Sequence, residues 1–168
     1  MKKNGFYILV VSLFFSNSAI LFSQDIFEKK EFFTRQDSLR GSITPEREWW
    51  DLNYYHLDIS VNPENKTIKG KNTVGYSVLK SHDIIQIDLQ EPMFITSAFQ
   101  DNKSLEFNRD GNAYFIKLTK KQIIGDVNYV VLEYQGNPKE AIRAPWDGGL
   151  SWEKDKNNNH FIATSCQG

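Results

Sequence analysis

The residues best suited to chemistry in this chain are its three histidines and its single cysteine. His56, His82 and His160 stand far apart, and none has a second ligand at the spacing that a metal site requires. The sequence contains no His-Glu-x-x-His and no Cys-x-x-Cys motif. Cys166 lies in an apolar run without a base beside it, which favours a small buried residue over a nucleophile. No complete catalytic or metal site is therefore predicted.

The acidic residues and the glycines lead to the same conclusion. Four aspartates fall at strand edges or on solvent-facing positions, and no two of them are placed to act as acid and base: Asp51, Asp58, Asp83 and Asp88. Gly148 and Gly149 are not followed by Lys-Ser or Lys-Thr, so they indicate a turn and not a phosphate loop. A Gly-x-Ser-x-Gly nucleophile elbow is missing as well.

Two tryptophans, Trp146 and Trp152, flank this Gly-Gly turn. If their side chains are exposed, they could form a stacking platform for a sugar or a peptide. If they are buried, they belong to the core. Tryptophans around a tight turn in a β domain are more often packing residues, so we expect packing here.

The elements that would position these residues are strands. Tyr55, Leu57, Ile59 and Val61 alternate with polar residues, a period of two that predicts a strand with one buried and one solvated face. The turn composition of residues 62–66 then predicts a hairpin with residues 67–79, whose Val74, Tyr76 and Val78 share a face.

Further short strands follow at regular spacing, over residues 84–89, 93–99, 105–107, 114–118 and 127–134. No long amphipathic helix separates them, so parallel βαβ units are not expected. The sequence therefore predicts an all-β fold, an antiparallel twisted sheet or β-sandwich.

The N-terminus has the pattern of a secretory signal peptide over residues 1–23. Lys2 and Lys3 precede the mostly apolar run from Phe6 to Phe22, and Ser23 is a small residue suited to cleavage. We expect export, with a membrane-anchored form as the alternative if the segment is not cleaved. Residues 24–48 are predicted to be an irregular charged leader with a short helix around residues 37–40, and residues 49–168 the β domain.

Charge and cysteine content limit the partners and the sources of stability. The chain has 20 Lys and Arg against 21 Asp and Glu, a formal net charge of −1, and losing Lys2 and Lys3 makes the mature chain more negative. Nucleic acid is not an expected partner, because such proteins carry clustered basic residues. A single cysteine in an exported chain gives no disulfide framework, so stability must come from burial of the many aromatic residues.

The ordered set of motifs resembles the N-terminal part of M1-family zinc aminopeptidases. Residues 50–59 and 62–70 are similar to the opening hairpin of that family, and residues 84–89 and 107–116 to its following strands. Residues 144–152, Ala-Pro-Trp-Asp-Gly-Gly-Leu-Ser-Trp, are similar to the Pro-Trp-Asp-Gly-Gly-Phe-x-Trp segment of a bacterial branch. Cys166 and Gln167 fall where the family carries Gln-Cys-Gln or Gln-Cys-Glu, with Ser165 in place of the first Gln.

This resemblance implies a saddle-like N-terminal β domain that packs on a thermolysin-like catalytic domain. The parent enzyme would remove N-terminal residues from peptides, using zinc held by His-Glu-x-x-His and a later Glu, none of which is present in this chain. Zinc would therefore belong to the full-length parent and not to this chain. Gln167 maps to the residue that receives the free α-amine of the substrate.

Two functional hypotheses follow. Because the chain stops inside a strand-like run at Gly168, we expect it to be the N-terminal part of such an enzyme, non-catalytic by itself, with the missing catalytic domain and peptide substrates as partners. The alternative is a free-standing secreted β-sandwich module that binds peptide or glycan through Trp146, Trp152 and neighbouring tyrosines.

Overall fold

The computed structural model of the chain describes residues 32–144 and 146–164. From Thr34 onward these residues pack as one unit. Two short helices come first, α1 (Arg35–Gly41) and α2 (Pro45–Glu48). Ten strands follow: β1 (Trp50–Asn62), β2 (Thr67–Val78), β3 (Ile84–Asp88), β4 (Phe94–Gln100), β5 (Lys103–Ser104), β6 (Phe107–Asp110), β7 (Ala113–Lys117), β8 (Val127–Gly136), β9 (Leu150–Lys154) and β10 (His160–Thr164). The all-β prediction is confirmed.

The strands form three antiparallel sheets. The largest has the order β1-β2-β8-β4-β5, the second the order β3-β7-β6, and β9 pairs with β10 in a separate hairpin. The predicted β1–β2 hairpin is present, with Asn62 opposite Thr67 at its turn. Crossover helices are not needed because every strand pair is antiparallel.

The core lies between the five-stranded and the three-stranded sheets. The predicted face of β2 is buried, with Val74 and Tyr76 fully inaccessible, and it packs in one cluster with Ile85 of β3 and Ile116 of β7. Two sheets joined in this way through their apolar faces are a β-sandwich. Since the chain relies on burial, this cluster is the main source of its stability.

A buried amide network closes one end of the core. The side chains of Gln100 and Gln122 are almost inaccessible, although glutamine is usually exposed. Gln122 Oε1 accepts hydrogen bonds from Tyr76 Oη at 3.2 Å and from Asn128 Nδ2 at 2.8 Å, and Gln100 Oε1 accepts from Thr119. Burial of Tyr76 raises the pKa of its hydroxyl, which keeps it a neutral donor. These bonds are what permit the polar groups to be buried.

The leader is more ordered over residues 34–48 than its composition predicts. The expected helix is present as α1, and Thr34 caps it by accepting from the Asp37 amide while Asp37 accepts from the Thr34 amide. Arg35 Nε binds Asp110 Oδ2 at 2.7 Å, and Trp50 Nε1 donates to the carbonyl of Glu46. These contacts fasten both helices to the β-sandwich.

Two earlier expectations concern residues that lie outside the described ranges. The signal segment, residues 1–23, is one of them, and Cys166 with Gln167 is the other. Among the described residues, none of the helices combines the length and the apolar character needed to cross a bilayer.

Candidate functional site

The β9–β10 hairpin is the last element that the structure describes before Gln167 in the sequence. It pairs from Leu150 opposite Thr164 to Lys154 opposite His160. His160 Nε2 lies 2.8 Å from Glu64 Oε1, which belongs to the β1–β2 turn, and this contact holds the pKa of Glu64 below its ordinary value. Lys66 Nζ binds Glu140 Oε2 at 2.7 Å just before the hairpin. The hairpin is thus tied to the end of the large sheet, and its last described residue is three positions before Gln167.

A loop precedes this hairpin, formed by residues 139–144 and 146–149, and we call it the Trp146 loop. Asp147 closes it, because its Oδ2 accepts from the amides of Ile142 at 2.7 Å and Arg143 at 2.9 Å. The bond from Arg143, followed by that from Ile142, lowers the pKa of the Asp147 carboxyl from its usual 3.8. The closure of the loop by the Asp147 carboxylate is therefore complete above pH 3.8. It weakens only as the pH falls through the lowered pKa of Asp147.

The predicted Gly-Gly turn lies at the end of this loop. Gly148 and Gly149 have φ values of 64° and 87°, a region that residues with a Cβ atom rarely adopt. A Cβ on Gly149 would also meet the carbonyl oxygen of Lys139 at 2.6 Å. The close approach allows Leu150 to donate to that carbonyl at 2.8 Å, so the turn sets the path of the chain into β9.

The two tryptophans that flank the turn have different environments. Trp146 is 75% exposed, so the expected packing role is wrong for this residue. Trp152 is half-buried on β9, and its Nε1 is inaccessible and has no hydrogen-bond partner among the described residues. Of the two indoles, Trp146 is therefore the one that presents most of its ring to solvent.

Trp146 lines one wall of an open cleft of about 690 Å³. The cleft is also lined by Asp37 and Arg40 of α1 and, near the ends of β3 and β7, by Gln90 and Ala113. The cleft is within the size range of small-molecule sites. Sequence reasoning missed it because its walls come from segments about a hundred residues apart.

A second surface with functional potential runs along β1. Five apolar side chains, which we call the β1 strip, are between 42% and 55% exposed: Leu52, Tyr55, Leu57, Ile59 and Val61. In the β1–β2 register Tyr55 is opposite the buried Val74, so these residues lie on the core-facing side of the sheet. The predicted burial of this face is wrong, because β1 is the edge strand and most of the strip pairs with residues 68–72 of β2, which are not fully buried themselves.

The histidines do not form a metal site. His56 is exposed near the Tyr54 hydroxyl, His82 stacks on Trp49 with ring centroids 5.9 Å apart, and His160 contacts Glu64. Within residues 32–144 and 146–164, no three histidine, cysteine or acidic side chains come together to hold a metal ion.

Comparison with known proteins shows which fold this is. No family model matches the sequence, and no curated protein is similar to it at a significant level. Solved structures do match: an M1 zinc metallopeptidase from Deinococcus radiodurans bound to a Tyr-Ser-Ala substrate has a TM-score of 0.53 at 16% identity, over 66% of this chain and 25% of that one. Yeast LTA4 hydrolase in complex with bestatin has a TM-score of 0.52 at 16% identity, over 68% and 18%.

The chain thus spans about a quarter or less of the length of the structures it matches. Identity at this level shows a shared fold. The described β-sandwich has the fold of one domain of M1 zinc metallopeptidases.

Proposed function

We propose that this chain is the N-terminal β domain of an exported M1-type zinc aminopeptidase, and that its role is to support and complete an active site whose zinc is held by another domain. The observation that carries the proposal is the fold match to M1 zinc metallopeptidases. This chain covers about a quarter or less of the length of the structures it matches. The Trp-Asp-Gly-Gly-x-x-Trp segment and the Cys166-Gln167 pair, which resemble the same family, support it from the sequence.

In this proposal the zinc chemistry lies outside the chain. The zinc-binding His-Glu-x-x-His motif is missing from the given sequence. The ligands would come from a His-Glu-x-x-His segment of the catalytic domain, and Gln167 would accept a hydrogen bond from the substrate's α-ammonium through its amide oxygen. The tied-down β9–β10 hairpin would hold Gln167 in place, since a binding group must be fixed by rigid elements.

The β1 strip supports a docking role. Large contiguous apolar patches on a protein surface often mark interaction sites, and this strip runs along a 13-residue edge strand. We propose that the catalytic domain of the same enzyme covers it. Export follows from the apolar segment Phe6 to Phe22 and the small Ser23 after it.

The function is tested with an aminoacyl substrate. The purified chain alone should hydrolyse no leucine p-nitroanilide with or without added zinc, and the reading frame that contains it should continue into a His-Glu-x-x-His segment. The protein from the complete frame should hydrolyse the substrate, and lose that activity to a chelator. Zinc-dependent hydrolysis by the chain alone would contradict the proposal, as would a frame without that segment.

The docking role is tested by the double substitution Leu57→Lys and Ile59→Lys. Both side chains are about half exposed, so we expect the free energy of unfolding of the chain alone to change by no more than about 0.5 kcal/mol per site. Fluorescence of a dye that binds apolar surface should fall, and co-purification with the catalytic domain should be lost.

The matched control is His56→Lys with Ser60→Lys, which adds the same two positive charges on the opposite face of the same strand. This control should leave dye binding and co-purification intact. Equal loss of co-purification in both double variants would show that added charge, and not the β1 strip, decides the association.

A further inference from the structure

We infer that the cleft between α1 and the Trp146 loop is a binding site for a short neutral oligosaccharide. The site shares no lining residue with the β1 strip, and it does not depend on the peptidase role. Three observations carry it: the exposed indole of Trp146, the mixture of donors and acceptors around it, and the near cancellation of formal charge.

The walls of the cleft are fixed by hydrogen bonds. On one side, Gln36 Nε2 of α1 binds Asp110 Oδ1 at 2.8 Å, and the capping box holds the first turn of the helix. On the other side, Asp147 pins the loop through two backbone amides. A site with walls held in this way loses little conformational entropy when a ligand binds.

Several groups in the cleft have unused hydrogen-bonding capacity. Among the described residues, the side chains of Arg40, Gln90 and Lys139 make no hydrogen bond or ion pair within the protein. Arg40 and Lys139 thus offer donors, and the amide of Gln90 offers both a donor and an acceptor, which fits a ligand that carries both on every unit.

The charges argue against an anionic ligand. Arg40 and Lys139 are in the lining, but so are Asp37, Asp88 and Asp147. Asp88 is paired with Arg47 behind the lining, so the charges of the cleft and its immediate support cancel. A phosphate or carboxylate ligand would be attracted by the two cationic side chains. It would also be repelled by the aspartate carboxylates of the lining. A polyhydroxylated neutral ligand avoids that opposition.

Trp146 gives such a ligand its main apolar contact. An indole that is 75% exposed on the wall of a polar cleft leaves a large flat apolar face in water. The C–H face of a pyranose ring can cover that surface while its hydroxyls remain free for the polar groups. An extended peptide is less suited, because β1, the long exposed edge that could pair with it, is not part of the cleft.

The test is titration of the purified chain with cellotriose, maltotriose and triacetylchitotriose, followed by tryptophan fluorescence and calorimetry. We expect saturable binding of at least one of the three, with a shift in the emission of Trp146. Trp146→Ala should weaken that binding at least about tenfold, and Lys139→Gln should weaken it less. Trialanine and phosphate should not compete.

The control is Phe161→Ala, which removes another exposed aromatic side chain, 58% accessible on β10, that does not line the cleft. It should bind the sugar as the unaltered chain does. Absence of binding to all three sugars would overturn the inference, and so would equal weakening in Trp146→Ala and Phe161→Ala, or binding of trialanine alone. None of these results would count for or against the proposed peptidase function.

Discussion

Replacing Trp49 with alanine is expected to lower the free energy of unfolding by about 3–5 kcal/mol, the usual cost of deleting a large buried aromatic side chain. Trp49 is 1% exposed and packs edge to face on Tyr76 with ring centroids 5.6 Å apart. Its Nε1 donates to the carbonyl of Ile84 at 2.7 Å, so the residue joins the start of the large sheet to β3. Urea denaturation of the chain measures the loss, which is a large part of the stability of a typical domain.

Two variants make this result interpretable. Trp49→Phe keeps most of the apolar contact but loses the donor to Ile84, so it should cost less than the alanine variant. Trp146→Ala is the matched control, because it makes the same substitution at an exposed position and should change stability by no more than about 0.5 kcal/mol. If Trp49→Ala and Trp146→Ala were equally destabilising, the assigned core would be wrong.

The second large effect concerns Gln167 in the proposed full-length enzyme. If its amide oxygen accepts from the substrate's α-ammonium, Gln167→Ala should reduce kcat/KM for leucine p-nitroanilide by about 10–100-fold, since a hydrogen bond to a charged group contributes about 1.5–3 kcal/mol. The effect should fall mainly on KM if the contact is made equally in the ground state and the transition state. Steady-state kinetics of the two enzymes separate these parameters.

Gln167→Glu tests the chemistry of the contact and not only its presence. A carboxylate forms a charge-assisted hydrogen bond with an ammonium group, so this variant should keep or increase the affinity for the free amine. Lys156→Gln, a change at an exposed position of the β9–β10 turn, serves as the control and should leave kcat/KM unaltered. An unchanged kcat/KM in Gln167→Ala would remove Gln167 from the binding site.

The contrast between β2 and β1 shows how far periodicity alone can predict burial. Both strands alternate, and both were expected to bury their apolar face. Val74, Tyr76 and Val78 of β2 are buried as expected, whereas Tyr55, Leu57 and Ile59 of β1, on the same side of the sheet, are about half exposed. An alternating pattern identifies the face that avoids water, but it does not say which element covers that face.

The cleft and the amide network illustrate a second limit. Gln122 and Gln100 have no distinguishing sequence signal, since glutamine is common on surfaces and the network assembles residues from several segments. Trp146 has a sequence signal, but its exposure depends on how the Asp147 closure and the Gly148-Gly149 turn direct the loop. Contacts of this kind join distant parts of the chain and cannot be obtained from local patterns.

By itself, the sequence determined most of the strands, the β1–β2 hairpin, the Gly-Gly turn and the all-β class, because these depend on local alternation and on residues with restricted backbone preferences. It did not predict β5 or β9. Only the tertiary structure decided which apolar residues are covered, that α1 and the Trp146 loop enclose a cleft, and that the β1 strip remains open. Burial is a property of the surface left after all sheets have packed, and the three-stranded sheet, with strands of four and five residues, is shorter than the 13-residue strand β1.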